Sequence, residues 1–241
     1  ANERARLASL IASASAANGA NTVAGALSVL VTLAKTVAAI GEGSRVEAKN
    51  GGISVLANSE AWGLNGALAA SGSNGANAIG ATVNVNVFDR EVKVRIGGEG
   101  QNQTVQLISQ QDILAQACAK DVTIVVAVAA GVSSSNGAFT GTIPVVSSKS
   151  RIENTIGGNT KMKAAGNIAA AAHYDSKLYV AAGGLSVSAS GTAAGLAAST
   201  VIYLNFVQAV IGKGAELIAT AATANETELA SRRKFKGVYV G

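Results

Sequence analysis

Apolar and polar residues alternate along much of this chain with a period of two, the period of a β-strand rather than a helix. Val83, Val85 and Val87 share one face with Asn84 and Asn86 opposite, and Val92, Val94 and Ile96 alternate with Glu91, Lys93 and Arg95. A helix would need its apolar residues three and four apart, and these charges would then fall inside its buried stripe. Both valine sets are therefore expected to point into a core, with the asparagines and charges outside. The alanine tracts, such as residues 169–172, are ambiguous by propensity, and their place in the longer pattern assigns them to strands.

That longer pattern is a repeat. Ile-Gly closes four similar segments, at Ile40-Gly41, Ile96-Gly97, Ile156-Gly157 and Ile211-Gly212, spaced by 56, 60 and 55 residues. Asn18-Gly19-Ala20, Asn74-Gly75-Ala76 and Asn136-Gly137-Ala138 recur 56 and 62 residues apart, and Gly191-Thr192-Ala193 takes their place in the fourth unit. Asn-Gly favours positive φ and marks tight turns. After each Ile-Gly comes a third landmark: Arg45-Val46-Glu47-Ala48, Thr104-Val105-Gln106-Leu107, Lys161-Met162-Lys163-Ala164 and Glu216-Leu217-Ile218-Ala219. A fixed period of this size is the mark of a stacked repeat.

The fold class expected is all-β: a right-handed parallel β-helix, or β-solenoid, of about four units of roughly 56 residues. Each unit has room for five or six short strands, making two or three coils. A β-sandwich or β-roll is the alternative, since many short strands can also be read as paired sheets. Residues 1–224 form the repetitive domain. Residues 225–241 form a charged cap or the start of a further segment.

Composition agrees with thin stacked layers. Apolar residues make up 49% of the chain but aromatics only 4%, with 28 glycines and one proline, which favours close-packed small side chains over a deep core. Two stretches imitate other signals. Arg4 and Arg6 before the small apolar run 7–16 resemble a signal peptide, and residues 23–40 resemble a short membrane span. Both align with plainly polar internal units, the second with the segment carrying Asp89, Arg90, Glu91, Lys93 and Arg95, so neither is expected to be a membrane element.

The formal net charge is +5, and four of the basic residues, Arg232, Arg233, Lys234 and Lys236, lie together near the C-terminal end. The remaining +1 forms no stripe, so nucleic acid is not an expected partner. A basic end also resists strand addition, which predicts a largely monomeric fragment.

Candidate chemistry is sparse. The four aspartates, Asp89, Asp112, Asp121 and Asp175, do not share a phase of the repeat, as a catalytic or Ca²⁺-binding groove would require. His173, the single histidine, could be oriented by Asp175 on one strand face, without an identifiable nucleophile. Cys118 is the single cysteine, read as a small buried hydrophobe, and Cys118 with His173 is too few for zinc. The Gly-Gly pairs form no phosphate loop, and no acidic nonapeptide repeat occurs. Two sequons begin at Asn102 and Asn225. No catalytic, cofactor or metal residues are assigned. Trp62, Phe139, Tyr174, Tyr179 and Tyr203 break the small-residue pattern and are the candidates for surface binding, the competing role being to fill gaps between coils.

The order of Ala/Gly-rich strand, Asn-Gly turn, Val83-Asn84-Val85-Asn86-Val87, charged strand ending in Ile96-Gly97, and segments like Asn50-Gly51-Gly52-Ile53-Ser54-Val55-Leu56-Ala57 resembles the giant repetitive adhesins of Gram-negative anaerobes. It is similar to leukotoxin-type filamentous adhesins and, more distantly, to filamentous haemagglutinin-like and autotransporter passengers, over about residues 7–224. The resemblance implies a secreted or outer-membrane-tethered surface protein that displays or spaces regions binding a host-cell protein or glycan, without enzymatic activity. It transfers no functional residues. A β-helical polysaccharide lyase or glycosidase, and a self-associating filament module, are the alternatives.

Overall fold

The computed structural model describes residues 1–98, 103–220 and 225–241. Asn102 of the first sequon lies outside them. The described residues contain strands and turns and no helix. The first coil consists of β1 (Asn2–Asn18), β2 (Thr22–Ile40) and β3 (Arg45–Ala48); the second of β4 (Ile53–Asn74), β5 (Ala78–Ile96) and β6 (Val105–Ser109). The third has β7 (Ile113–Ser133), β8 (Ala138–Ile156) and β9 (Thr160–Ala164). The fourth has β10 (Ile168–Ser188), β11 (Ala193–Ala197), β12 (Thr200–Ile211) and β13 (Glu216–Ala219). The tail adds β14 (Thr227–Glu228), β15 (Lys234–Phe235) and β16 (Val238–Val240).

Equivalent strands of successive coils pair in parallel, forming sheet A (β1-β4-β7-β10-β16), sheet B (β2-β5-β8, then β11 and β12) and sheet C (β3-β6-β9-β13). The chain is a parallel β-solenoid of four units, as the repeat requires, and its parallel order separates it from an antiparallel sandwich. The Ile-Gly landmark is an isoleucine ladder, with Ile40, Ile96, Ile156 and Ile211 direct neighbours in sheet B. The signal-like stretch is β1, and the span-like stretch is β2. Among the described residues no helix is long and apolar enough to cross a membrane.

The coil is larger than its sequence suggested. Each unit makes one coil, from two strands of about twenty residues and one of four or five, instead of two or three coils of short strands. The glycines that look like strand ends lie inside strands because sheets A and B approach closely. A Cβ on Gly80 would meet the Ala130 carbonyl oxygen at 2.8 Å, so no larger residue fits. Two landmarks also slip by two residues. Ser73 pairs with Ser133, so Asn136-Gly137 is not the equivalent of Asn74-Gly75; Arg45 pairs with Gln106 rather than Thr104.

The interior tapers. At one end sheets A, B and C enclose a triangular core built from ladders such as Ile53-Ile113-Ile168 and Leu107-Met162. At the other, A and B close on each other directly over small side chains, among them the cluster Ala24, Ala26, Ala67 and Ala69. This thin edge accounts for the small-residue composition. In the fourth coil the sheet-B strand breaks at Ala198–Ser199, opposite Ile143 and Pro144, where proline offers no N–H to a neighbour.

The inward phase in β5 is the even one throughout: Asn84 is fully buried and Val83 is 37% exposed. Val92, Val94 and Ile96 are buried as expected, but Val83, Val85 and Val87 point outward and Asn84 and Asn86 inward, reversing that half of the expectation. Both valine sets cannot face the core of one unbroken strand, because Val87 and Val92 are an odd number of residues apart and so point to opposite faces.

The tail leaves the coil and returns to it. β14 and β15 form a small antiparallel hairpin, and Leu229 and Phe235 pack on Ala169 and Ala171. Asp112 Oδ1 accepts the Asn167 N–H (2.7 Å), its Oδ2 accepts the Thr227 hydroxyl (2.5 Å), and Asn167 Oδ1 accepts the Gly237 N–H (2.7 Å). Pinned in this way, β16 joins β10 in parallel at Ile168–Ala170 and resumes sheet A. Residues 225–241 therefore combine a hairpin outside the coil with a further rung of it.

Candidate functional site

Parallel stacking turns each sequence position into a row across coils, so chemistry here is set by rows. On the outer face of sheet A, Arg4, Glu60, Lys120 and Asp175 are successive register partners. Their signs alternate, and Arg4 pairs with Glu60 at 3.3 Å. The row lies in an open groove of about 1040 Å³ between sheet A and the tail, which contributes Arg232. Arg232 holds a positive φ of 60°, unusual for a residue with a side chain.

Beside that row, Cys118 and His173 are register partners, and His173 and Asp175 share a face, as their spacing predicts. The stacking thus supplies a thiol next to the histidine that no local spacing could reveal. It is poorly suited to nucleophilic work, since burial pushes the Cys118 thiol up to about 11 and keeps it protonated at neutral pH. The aspartates do not converge. Asp175 lies on the outer face of sheet A, Asp89 on that of sheet B, Asp112 at the tail anchor and Asp121 inside. Among the described residues no group of three His, Cys, Asp or Glu side chains could hold a metal ion.

The outer face of sheet B carries a tighter network. Lys93 bridges Glu91 and Glu153 (3.3 Å to the latter), Lys35 reaches Glu91 at 3.1 Å, and Arg151 reaches Glu153 at 2.8 Å. The Lys93 and Lys35 ammonium groups hold the Glu91 carboxyl below its usual range. Partial burial alone would raise Glu153, but hydrogen bonds from Arg151 and Lys93 outweigh it and lower it. Arg151 also lies 5.5 Å over the Phe206 ring.

The aromatic candidates divide by parity. Trp62 and Tyr179 stand on the outer face of sheet A, and Phe139 on that of sheet B, all partly exposed. Tyr174 and Tyr203 turn towards each other between sheets A and B, Tyr174 partly buried and Tyr203 still 38% exposed at the fourth coil. Tyr174 donates to Asp121 (2.8 Å) and accepts from Ser150 (3.0 Å), and Tyr203 meets Tyr174 at 3.3 Å and also Ser176. Asp121 in turn forms an ion pair with Arg90, a residue only 4% exposed. Burial pushes the Arg90 guanidinium below its ordinary value, opposed by the neighbouring Tyr174 and Glu3. This interior cluster links coils two, three and four, and sequence reasoning missed it because Arg90 sits in a charged stretch that reads as surface.

The chain matches no protein-family model, no curated protein and no solved structure. The rows bring together self-neutralising charges on the outer faces of sheets A and B and a protonated thiol beside a histidine, while the aspartates stay dispersed.

Proposed function

We propose that this chain is a rigid solenoid segment of a large secreted surface protein, spacing or displaying regions that contact a host-cell protein or glycan. The observation that carries this reading is the continuation of three parallel sheets through four coils, with β16 resuming sheet A. Each coil contacts only its neighbours, so adding coils lengthens the rod without new folding information. The repeat style, similar to that of large Gram-negative adhesins, supplies the setting at the cell surface. Direct contact would fall on the outer face of sheet A, where Trp62 stands two residues from Glu60 of the charged groove. An aromatic ring beside polar groups suits a sugar face.

The test uses antibodies raised against the purified chain. Labelling of intact source cells in flow cytometry, lost after brief surface proteolysis, is the expected result. Labelling of permeabilised cells alone would overturn the surface assignment. For the contact face, Trp62→Ala should reduce binding of the purified chain to host cells at least several-fold while leaving its circular dichroism unchanged; undiminished binding would remove Trp62 from the reading.

A further inference from the structure

The step from sheet C to sheet A is a short corner in the first three coils, residues 49–52, 110–112 and 165–167. In the fourth coil the same step runs from Ala219 to Val238 and holds the hairpin of β14 and β15. The chain nevertheless rejoins sheet A in phase, with Ile113, Ile168 and Val238 successive register partners. The longer corner therefore leaves the path of the coil unchanged and adds a set of contacts along its outside.

Those contacts reach further than the stack itself does. Bonds between coils join positions one period apart, such as the Gly137 N–H and Asn77 Oδ1, 60 residues apart. From the hairpin, the Thr227 hydroxyl donates to Asp112 Oδ2 (2.5 Å) and the Ala230 N–H to Gln116 Oε1 (3.0 Å), both at the start of the third coil and 115 and 114 residues away. Asn167, at the start of the fourth coil and fully buried, stands between them. Its Nδ2 donates to the Asn225 carbonyl and the Thr227 hydroxyl (2.9 Å each), and its Oδ1 accepts the Gly237 N–H (2.7 Å). Leu229 and Phe235 are buried against Ala169 and Ala171. The hairpin also holds β16, through the Phe235–Tyr239 rings (5.5 Å between centroids) and an Arg233 Nη1 hydrogen bond to the Tyr239 hydroxyl (2.9 Å).

A solenoid whose coils touch only their neighbours can open one coil at a time. A hairpin tied to three successive rungs removes that freedom, because no rung of the three can leave without breaking bonds to it. Asn167 makes partial release costly, since each partner lost would strand a buried polar atom. We propose that the hairpin is a clip that joins the third coil, the fourth coil and the rung begun by β16 into one cooperative unit, leaving the second coil outside it. The clip rests on these contacts and stands apart from the surface assignment.

The test is hydrogen exchange of the full chain, followed amide by amide by NMR at rising urea below the unfolding midpoint. The Ala230 and Gly237 amides lie outside the coil's sheets, yet they should open together with residues 113–117 of β7 and 168–172 of β10, at one rate and with one urea dependence. Opening of Ala230 and Gly237 alone, with little response to urea, would make the hairpin a surface ornament and overturn the proposal. Thr227→Val with Leu229→Ala alters the hairpin and leaves both coils intact. It should speed exchange at Ala230 and Gly237 roughly tenfold or more, the least expected for losing a hydrogen bond to a carboxylate. It should also separate the opening of β10 from that of β7, while residues 53–57 of the second coil keep their rates. A common opening that survives in the variant, or equal acceleration of residues 53–57, overturns the clip. Circular dichroism verifies that the variant folds, and the exchange pattern of the parent chain decides the matter if it does not.

Discussion

Removing the Asp121 carboxylate tests the interior arrangement most directly. Arg90 is 4% exposed, and its ion-pair partner is Asp121. Asp121→Asn leaves that guanidinium buried without a counter-charge, which costs about 3–5 kcal/mol in comparable buried pairs. Tyr174 also exchanges a charged acceptor for a neutral one (2.8 Å in the parent), a further loss of about 1 kcal/mol. The sum, about 4–6 kcal/mol, is a large share of a typical domain's stability, so partial unfolding near room temperature is expected. Arg90→Met in the same chain removes the stranded charge and should recover most of the loss, because replacing both partners of a buried pair by apolar groups is often close to neutral. The assay is urea unfolding followed by far-ultraviolet circular dichroism, with a second probe at Trp62 to test whether the coils unfold together. A cost for Asp121→Asn below about 1 kcal/mol would mean that Arg90 is solvated, which would refute the inward phase of β5 and the whole row assignment with it. Failure of Arg90→Met to rescue would instead show that Asp121 acts through Tyr174 and Ser150.

Further outcomes follow from the rows. Gly157→Ala should lower the urea midpoint strongly, since its Cβ would meet the Gly98 carbonyl oxygen at 2.5 Å, whereas Gly141→Ala, with nothing within 4 Å, should be tolerated; equal effects would contradict the coil spacing. Glu91 and Glu153 are held below their usual range, so they stabilise the fold above the unfolded carboxylate value of about 4.3 and lose that contribution as pH falls through their lower folded values. The urea midpoint should therefore drop on acidification below about pH 4, and Glu91→Gln with Glu153→Gln should flatten the drop; an unaltered pH profile would remove the network from the account. Cys118, with its thiol raised to about 11, should react with a disulfide reagent at pH 8 about a hundredfold more slowly than a free cysteine, and unfolding in urea should abolish the difference.

The period of the fold was legible in the chain, while the phase of its faces was only partly so. Ile40, Ile96, Ile156 and Ile211 stack as their spacing implies, because a solenoid makes sequence period and spatial period the same quantity. The size of the coil is hidden for a physical reason: Gly63, Gly66 and Gly80 suggest strand ends, yet all three lie inside strands, and Gly80 is demanded by the approach of two sheets, which is invisible in one dimension. The Cys118–His173 contact and the Arg4-Glu60-Lys120-Asp175 row join residues about 55 to 60 positions apart. The repeat could have found both, had the four units been written beneath one another and read down the columns.

Parity would also have corrected the valines. Val83 to Val87 and Val92 to Ile96 occupy opposite phases, and the segment between them, Phe88-Asp89-Arg90-Glu91, holds no glycine or proline to break the strand or shift its phase. One of the two sets must then face out. Reading the charged half as surface, with Lys93 and Arg95 outside, fixes Val92, Val94 and Ile96 as core and forces Asn84 and Asn86 inside. The hydrogen-bonded asparagines of the interior and the exposed valines are thus one feature seen from two sides. A strand that buries amides and presents valines gives up apolar burial, and the hydrogen bonds among Asn65, Asn84 and Asn86 keep the buried amides from costing more.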